Sequence, residues 1–188
     1  MCCCSSSSSS AFIAIFAHLD PFKFAKKITR VAVFGFSTSS SAATLPLNVK
    51  TTVEELGVDE KIASFVLPLG MTINMNGTAI MQVIATLFIA GCAGYSISFT
   101  QLVVIALLAL IASAGTPAAP GSGAIILFTI LSGLGYVNDA AMLAYSLILA
   151  INRPIEMLVT ALNVVGDSAT SIYVAKSEGA LNEDVYNA

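Results

Sequence analysis

The chain has 188 residues, of which 56% are apolar and only 10% are charged. Soluble domains carry charge on roughly a quarter of their residues, and the mean hydropathy here is +0.87. This composition therefore excludes a soluble globular protein and indicates an integral membrane protein. The net charge of −3 decides little, because most acidic residues lie in two short polar segments, 54–60 and 178–184.

The chain opens on a low-complexity segment in which Cys2, Cys3 and Cys4 precede a run of serines. We interpret residues 1–18 as this low-complexity start followed by the end of a preceding helix. The cysteines of the chain imply no disulfide framework. The first segment from which structure can be predicted therefore begins after residue 18.

The first predicted element is a helical hairpin at residues 22–56, called hairpin 1 below. Its tip, residues 37–46, is rich in serine and threonine, and apolar segments at 31–36 and 45–47 flank it. A serine run is often a flexible linker, but these apolar flanks favour burial. The pattern predicts a hairpin that enters the membrane without crossing it.

The second predicted element, called the interrupted span, covers residues 62–94. It begins a stretch, 62–138, that contains no charged residue and no histidine. Asn74, Asn76, Gly77 and Thr78 lie near its middle, where they break a helix that lipid would otherwise keep regular. Irregular backbone at membrane depth is tolerated only where it faces protein or a water-filled cavity. The break is therefore a candidate ligand site.

A second hairpin, called hairpin 2, is predicted at residues 98–134. Its apolar runs, 101–111 and 124–134, would each be about 16 Å long as helices, too short for roughly 30 Å of hydrocarbon. Between them, two prolines and three glycines forbid a continuous helix. The pattern predicts a re-entrant hairpin whose tip stops near the midplane; the alternative is two short tilted helices in a larger bundle.

The final span is predicted at residues 139–176, followed by a polar tail at 179–188. Five polar residues in this span are spaced by three, four, three and four positions, namely Arg153, Glu156, Thr160, Asn163 and Asp167. This spacing places them on one narrow helical face. Ionisable residues inside a membrane span mark a functional site by default. The alternative is that Arg153 and Glu156 neutralise each other and that Asp167 lies in water near the cytoplasmic end.

The basic residues indicate how these elements are oriented. Nearly all of them lie in three segments: Lys23, Lys26, Lys27 and Arg30; Lys50 and Lys61; and Lys176. The positive-inside rule places these segments and the carboxyl terminus in the cytoplasm. Two hairpin-and-span units then enter from opposite faces, which is typical of an inverted repeat with its binding site near the midplane. The predicted fold is an all-α integral membrane protein.

Four motifs, at residues 40–46, 67–78, 112–123 and 163–167, resemble the dicarboxylate/amino acid:cation symporter family, which includes the glutamate transporters. The resemblance covers residues 19–179, and it matches only the second half of a family member. It implies that residues 19–178 form the core transport domain and that a full-length protein is a homotrimer. The family's six preceding helices, which supply the trimerising scaffold, are not matched, so we expect that these 188 residues alone do not transport.

The resemblance also implies which residues bind substrate and Na⁺. The substrate positions are Ser40, Ser41, Thr78, Ala119, Gly123, Arg153, Glu156, Val159, Thr160 and Asn163. One sodium site matches Gly70, Asn74, Asn163 and Asp167, and another, which uses mainly backbone carbonyls, matches Thr72, Ser113, Ala114 and Thr116. Met75 and Asn76 complete the candidate cation ligands. Hard cations take oxygen ligands, and broken helices expose carbonyls that can serve.

Three positions depart from the family pattern. Asn76 replaces an aspartate, which puts a third sodium site in doubt. Glu156 replaces the aspartate that meets the substrate's amino group. Val159 replaces the arginine that pairs with an acidic side chain, and the alternative arginine position at the first tip is Ser39. These departures favour a neutral amino acid, although Arg153 could restore recognition of an anionic carboxylate.

The expected function is part of a Na⁺-coupled symporter for a small amino acid or dicarboxylate in the plasma membrane. The alternatives are a passive ion channel and a truncated remnant that does not transport. An enzyme is not expected, because His18 is the only histidine and no catalytic triad pattern surrounds the motifs. The expected partners are the cargo and the lipid bilayer, and no nucleic acid.

Overall fold

The computed structural model describes Ile13 and residues 19–188. The prediction of a low-complexity start and a preceding helix at residues 1–18 lies outside the described residues, apart from Ile13. The described residues form helices and no strand, in agreement with the predicted all-α fold. The helices are α1 (Pro21–Thr38), α2 (Ser41–Glu54), α3 (Glu60–Ile73), α4 (Asn76–Cys92), α5 (Phe99–Ala114), α6 (Ser122–Leu134), α7 (Asp139–Ser177) and α8 (Glu183–Asn187).

Hairpin 1 consists of α1 and α2, and its turn is shorter than the serine-rich sequence suggests. Helix α1 continues to Thr38, and α2 begins at Ser41. Ser39 makes the turn with a left-handed φ of 51°, and the Ser40 hydroxyl accepts a hydrogen bond from the Ala43 N–H at 3.2 Å. Serine favours this N-cap position because its oxygen satisfies an N–H that the helix leaves unpaired. The serine run therefore ends one helix and starts the next.

The interrupted span consists of α3 and α4, and the helix breaks at Asn74 and Met75. Asn74 lies outside helical geometry, with φ −84° and ψ 70°. Together α3 and α4 cover Glu60–Cys92, one of two helical segments in the described residues that are long and apolar enough to cross a membrane. The other is α7, Asp139–Ser177, which remains helical through Pro154.

Hairpin 2 consists of α5 and α6, which have 16 and 13 residues. At 1.5 Å per residue they are roughly 24 and 20 Å long, which is less than the hydrocarbon thickness. Gly121, the N-cap of α6, has a φ of +82°, a conformation that only glycine adopts without strain. The Ser98 hydroxyl and the Gln101 side chain form a capping box at the start of α5.

Helix α7 is the central element, because it packs against α1, α2, α3, α4 and α6. Apolar side chains join it to α1 and α3 in one cluster and to α4, α5 and α6 in another. Its contact with α2 includes buried polar pairs: Asn48 donates to the Val164 carbonyl at 3.2 Å and accepts from the Ser168 hydroxyl at 2.6 Å. These bonds give the buried Asn48 side chain its partners on α7.

The outer surface of the helices is strongly apolar. Phe22, Phe99, Ile111 and Ile125 are each at least 70% exposed. A water-soluble monomer rarely exposes so many large apolar side chains together, whereas lipid solvates them well. The surface is therefore consistent with the membrane location that composition predicts.

Candidate cargo and cation site

A small cavity of about 40 Å³ lies where the two hairpin tips, the helix break and the middle of α7 meet. Eight of the ten predicted substrate residues line it: Ser41, Thr78, Ala119, Gly123, Glu156, Val159, Thr160 and Asn163. Asn163 also belongs to the predicted cation set, and two more residues of that set, Met75 and Thr116, line the cavity. Ser40 and Arg153 do not. Four motifs that are far apart in sequence thus converge on one space.

The two hairpin tips touch each other beside the cavity. The Ser40 hydroxyl donates to the Ala118 carbonyl at 2.9 Å, and the Ala42 N–H donates to the same oxygen at 3.3 Å. Because this hydroxyl also caps α2, Ser40 is engaged in the tip-to-tip contact rather than in the cavity lining.

Ser39 lines the cavity, although it was not among the predicted substrate residues. It is 4% exposed, and its hydroxyl is buried with no hydrogen-bond partner among the described residues. The sequence signals for it were the serine run and its match to the alternative arginine position of the family, whereas the left-handed turn that directs Ser39 inward depends on where α1 ends.

Glu156 provides the carboxylate of the cavity. Its Oε2 accepts a hydrogen bond from the Gly121 N–H at 3.2 Å, while its Oε1 is buried and has no partner in the part of the chain that the structure describes. Arg153 Nη1 lies 3.8 Å from Oε2, and the arginine side chain is 53% exposed. The ion pair between Arg153 and Glu156, which the sequence offered as an alternative, therefore forms. It leaves one carboxylate oxygen of Glu156 free to meet a cation.

Asn163 joins α7 to the helix break. Its Oδ1 accepts from the Gly77 N–H at 3.0 Å, and its Nδ2 donates to the Thr78 hydroxyl at 3.1 Å. A Cβ on Gly77 would lie 3.1 Å from Asn163 Oδ1 and 3.2 Å from the Val159 carbonyl. Glycine at this position therefore allows α4 to begin against α7.

The first predicted cation set is assembled around Asp167, which is 2% exposed. Asn74 Nδ2 donates to Asp167 Oδ1 at 2.9 Å, and Asn76 Nδ2 donates to Asn74 Oδ1 at 2.7 Å. A Cβ on Gly70 would lie 2.7 Å from Asp167 Oδ1, so only glycine lets the α3 backbone come this close. The described residues contain no cluster of three histidine, cysteine or acidic side chains. A cation here would therefore rely on amide and carbonyl oxygens with one carboxylate, a donor set that suits a hard ion.

The second predicted cation set is less well assembled. Helix α3 contacts α5, but Thr72 is exposed and its hydroxyl donates to its own helix, at Leu69 O. Ser113 and Thr116 likewise donate to carbonyls of their own segment, those of Leu110 and Ala112. Ala114, the last residue of α5, contributes only backbone groups. These residues remain predicted ligands.

Comparison with known proteins agrees with this geometry. The model of the sodium:dicarboxylate symporter family matches residues 8–177, nearly the whole chain. The chain therefore belongs to the sodium:dicarboxylate symporter family. This membership confirms the family predicted from the four motifs, a family described as symporters rather than enzymes, and it supports an integral membrane protein.

Among its relatives are excitatory amino acid transporters of animals. An excitatory amino acid transporter of Caenorhabditis elegans is 37% identical over 150 residues, which cover 79% of this chain and 29% of the relative. Excitatory amino acid transporter 2 of Homo sapiens is 36% identical over 162 residues, which cover 85% of this chain and 28% of the relative. The chain thus spans less than a third of the length of these relatives.

Proposed function

We propose that this chain forms the cargo-binding and cation-binding part of a secondary active symporter that couples Na⁺ entry to uptake of a small amino acid. The observation that carries the proposal is the convergence of both hairpin tips, the helix break and Asn163 on one cavity. Asn163 also adjoins the break whose Asn74 contacts Asp167. Cargo and cation would therefore bind to the same broken helix, which gives them a physical route to coupling.

An amino acid zwitterion suits the charges around the cavity. Helix α2 begins at the tip of hairpin 1, where the positive end of the helix dipole favours a carboxylate. At the start of α6, where its Oε2 accepts from the Gly121 N–H, the Glu156 carboxylate has a free Oε1 that would accept a charge-assisted hydrogen bond from an ammonium group. The two ends of a zwitterion would thus meet opposite partners.

A neutral side chain suits the rest of the cavity better than an acidic one. Val159 supplies an apolar wall, and neither lysine nor arginine lines the space. A buried carboxylate without a cationic partner would cost several kcal/mol. The unpaired Ser39 hydroxyl could meet a small polar group, so serine and alanine are the proposed cargo.

Acidic cargo is the second candidate, and one distance favours it. Arg153 lies 3.8 Å from Glu156, and Glu156 lines the cavity. A change of side-chain rotamer could bring the guanidinium to an aspartate or dicarboxylate. In that case Arg153→Ala would abolish aspartate uptake, whereas serine uptake would be retained if the neutral proposal is correct.

The proposed Na⁺ ligands are Asp167, the Asn74 side chain and nearby backbone carbonyls, with Gly70 allowing the close approach. Asn76 adds no carboxylate, and its amide donates to Asn74. We therefore propose coupling to fewer sodium ions than in relatives that carry aspartate at this position, or coupling to another ion. The homotrimer, the plasma membrane and the cytoplasmic carboxyl terminus also belong to this proposal.

The test is uptake of labelled serine, alanine and aspartate by the protein expressed from the complete gene, with and without external Na⁺. The proposal predicts sodium-dependent accumulation of serine and alanine above that of aspartate. Ionic current without accumulation would favour the passive channel instead. The 188 residues reconstituted alone are expected to bind cargo but not to accumulate it.

A further inference from the structure

The residues that follow α7 fold back across the base of hairpin 1, the end opposite its tip. Asp59 N–H donates to the Ala180 carbonyl at 3.1 Å, and Asn182 N–H donates to the Gly57 carbonyl at 2.7 Å. Val58 and Leu181 form an isolated antiparallel bridge between these two bonds. We call residues 178–188 the strap.

Lys27 of α1 joins the strap to both arms of hairpin 1. Its ammonium group donates to the carbonyls of Glu55 at 2.9 Å, Val185 at 2.8 Å and Tyr186 at 2.9 Å. An ammonium group has three N–H donors, and all three are used. Glu55 is the C-cap of α2, while Val185 and Tyr186 belong to α8. One side chain therefore connects α1, α2 and α8.

Tyr186 fixes the other end of the strap. Its side chain is fully buried, and its hydroxyl donates to the Asp20 carbonyl at 2.8 Å. Burial, with a smaller contribution from the Asp20 carboxylate, raises the pKa of Tyr186 to about 12. The hydroxyl is therefore protonated at physiological pH and available as a donor. The Lys27 ammonium also lies 5.8 Å from the centre of the tyrosine ring, within range of a cation–π interaction.

Gly57 shows how closely the strap approaches. Its φ is +74°, and a Cβ there would lie 2.3 Å from the Asn182 carbonyl oxygen. Gly94 has nearly the same φ, +76°, with nothing within 4 Å of its Cβ position. Comparing alanine substitutions at the two glycines therefore distinguishes the free-energy cost of a left-handed backbone from the cost of displacing the strap.

We propose that the strap holds the base of hairpin 1 together, with Lys27 as its positioning residue, and that this keeps the tip residues Ser39 and Ser41 in place at the cavity. Hairpin 1 then moves as one body with α7. The effect on cargo binding rests on the proposed function, but the closure of the base does not. A hairpin that is only partly closed would lower cargo affinity in proportion to its closed fraction.

The test compares Lys27→Met with Lys26→Met, because Lys26 is the exposed neighbour on the same helix. Amide hydrogen exchange is followed in the protein from the complete gene, in lipid nanodiscs. Lys27→Met removes the hydrogen bonds of a charged group, so the amide exchange rate at residues 51–58 should rise about tenfold or more. Lys26→Met should leave this rate unchanged. Gly57→Ala should also raise exchange at residues 51–58, whereas Gly94→Ala should not. Lys27→Arg keeps the positive charge and its donors, so it should largely retain the protection of the wild type.

The transport measurement is the apparent KM for serine, which should rise about threefold in Lys27→Met with little change in kcat. Exchange at residues 51–58 within about twofold of wild type would overturn the strap. An equally large increase in the exchange rates of α5 and α6 would also overturn the strap, because it would indicate global destabilisation. A local increase with an unchanged KM would overturn the positioning role. If the wild-type protein accumulates no serine, the proposed function fails, while the exchange result still decides the strap.

Discussion

At the scale of single residues, the site depends on short backbone approaches and on polar atoms that have specific partners. Gly70 and Gly77 allow α3 and α4 to come within contact of Asp167 and Asn163. Ser39 and Glu156 each present one unpaired polar atom in the same cavity. Single substitutions at these positions therefore test directly which residues bind the cargo and which bind the cation.

Gly70→Ala should weaken sodium dependence. The added Cβ would lie 2.7 Å from Asp167 Oδ1, so α3 or the carboxylate must move, and we expect the sodium concentration at half-maximal uptake to rise about tenfold, equivalent to 1.4 kcal/mol. Gly133→Ala is the matched control, because nothing lies within 4 Å of that Cβ position on α6. Equal sodium titrations for the two variants would contradict the placement of the cation at Asp167.

Asn76→Asp should increase the number of coupled sodium ions. The substitution replaces an amide that donates to Asn74 with a carboxylate, which supplies the negative oxygen ligands that hard cations prefer. We expect a steeper dependence of uptake on sodium concentration. An unchanged Hill slope would count against a role for Asn76 in setting the stoichiometry.

Ser39→Ala should reduce the preference for serine over alanine. The Ser39 hydroxyl is buried without a partner at the cavity, and a hydroxyl on the cargo would pair with it at a gain of about 1 kcal/mol. The ratio of kcat/KM for serine to that for alanine should fall about fivefold. Ser37→Ala is the control, because Ser37 is exposed and its hydroxyl bonds to its own helix, at Val33 O. If both variants keep the wild-type ratio, Ser39 does not contact the cargo side chain.

At the scale of elements, the two hairpins meet through α2 and the tip of hairpin 2. The Ser40 hydroxyl both caps α2 and donates to the Ala118 carbonyl. Hairpin 1 is also held along its length by the Asn48 and Ser168 pair. The tip of hairpin 2 is held by the Glu156 carboxylate at Gly121 and by the Gln82 amide, which donates to the Gly123 carbonyl at 2.7 Å.

Ser40→Ala should loosen both the start of α2 and the contact between the tips. Loss of a serine N-cap costs about 1 kcal/mol, and amide exchange in the first turn of α2 should accelerate about fivefold. A cysteine introduced at Ala119 should also react faster with a thiol reagent in this background. Ser122→Ala is the comparison, because the Ser122 hydroxyl bonds within its own tip, to Pro117 and Ala119 carbonyls. Unchanged reactivity would show that Ser40 does not close the cavity.

At the scale of the whole molecule, sequence was informative where polar residues interrupt apolar helices. Asn74 and the glycine–proline segment at 112–123 mark breaks because lipid offers no partner for irregular backbone. The spacing along α7 predicted which of its residues share a face, because helical geometry is local. These local rules located the helix breaks and the polar face of α7, whereas the full set of substrate residues was implied by the resemblance to the family.

The sequence could not predict contacts that depend on distant partners. Lys27 and Tyr186 are far apart in the chain, and neither carries a local signal for their hydrogen bond. The inward direction of Ser39 follows from the turn between α1 and α2 rather than from its residue type. The polar tail was therefore predicted only as a tail, whereas the structure folds it into a strap.

The most direct test of the central claim is accumulation of labelled serine in proteoliposomes that contain the protein from the complete gene. With an inward sodium gradient, we predict accumulation above the external concentration, and its collapse when the gradient is dissipated. Asp167→Asn should abolish this accumulation, while Asp139→Asn, at the exposed start of α7, should retain it. Accumulation that is independent of sodium, or that survives Asp167→Asn, would contradict the account.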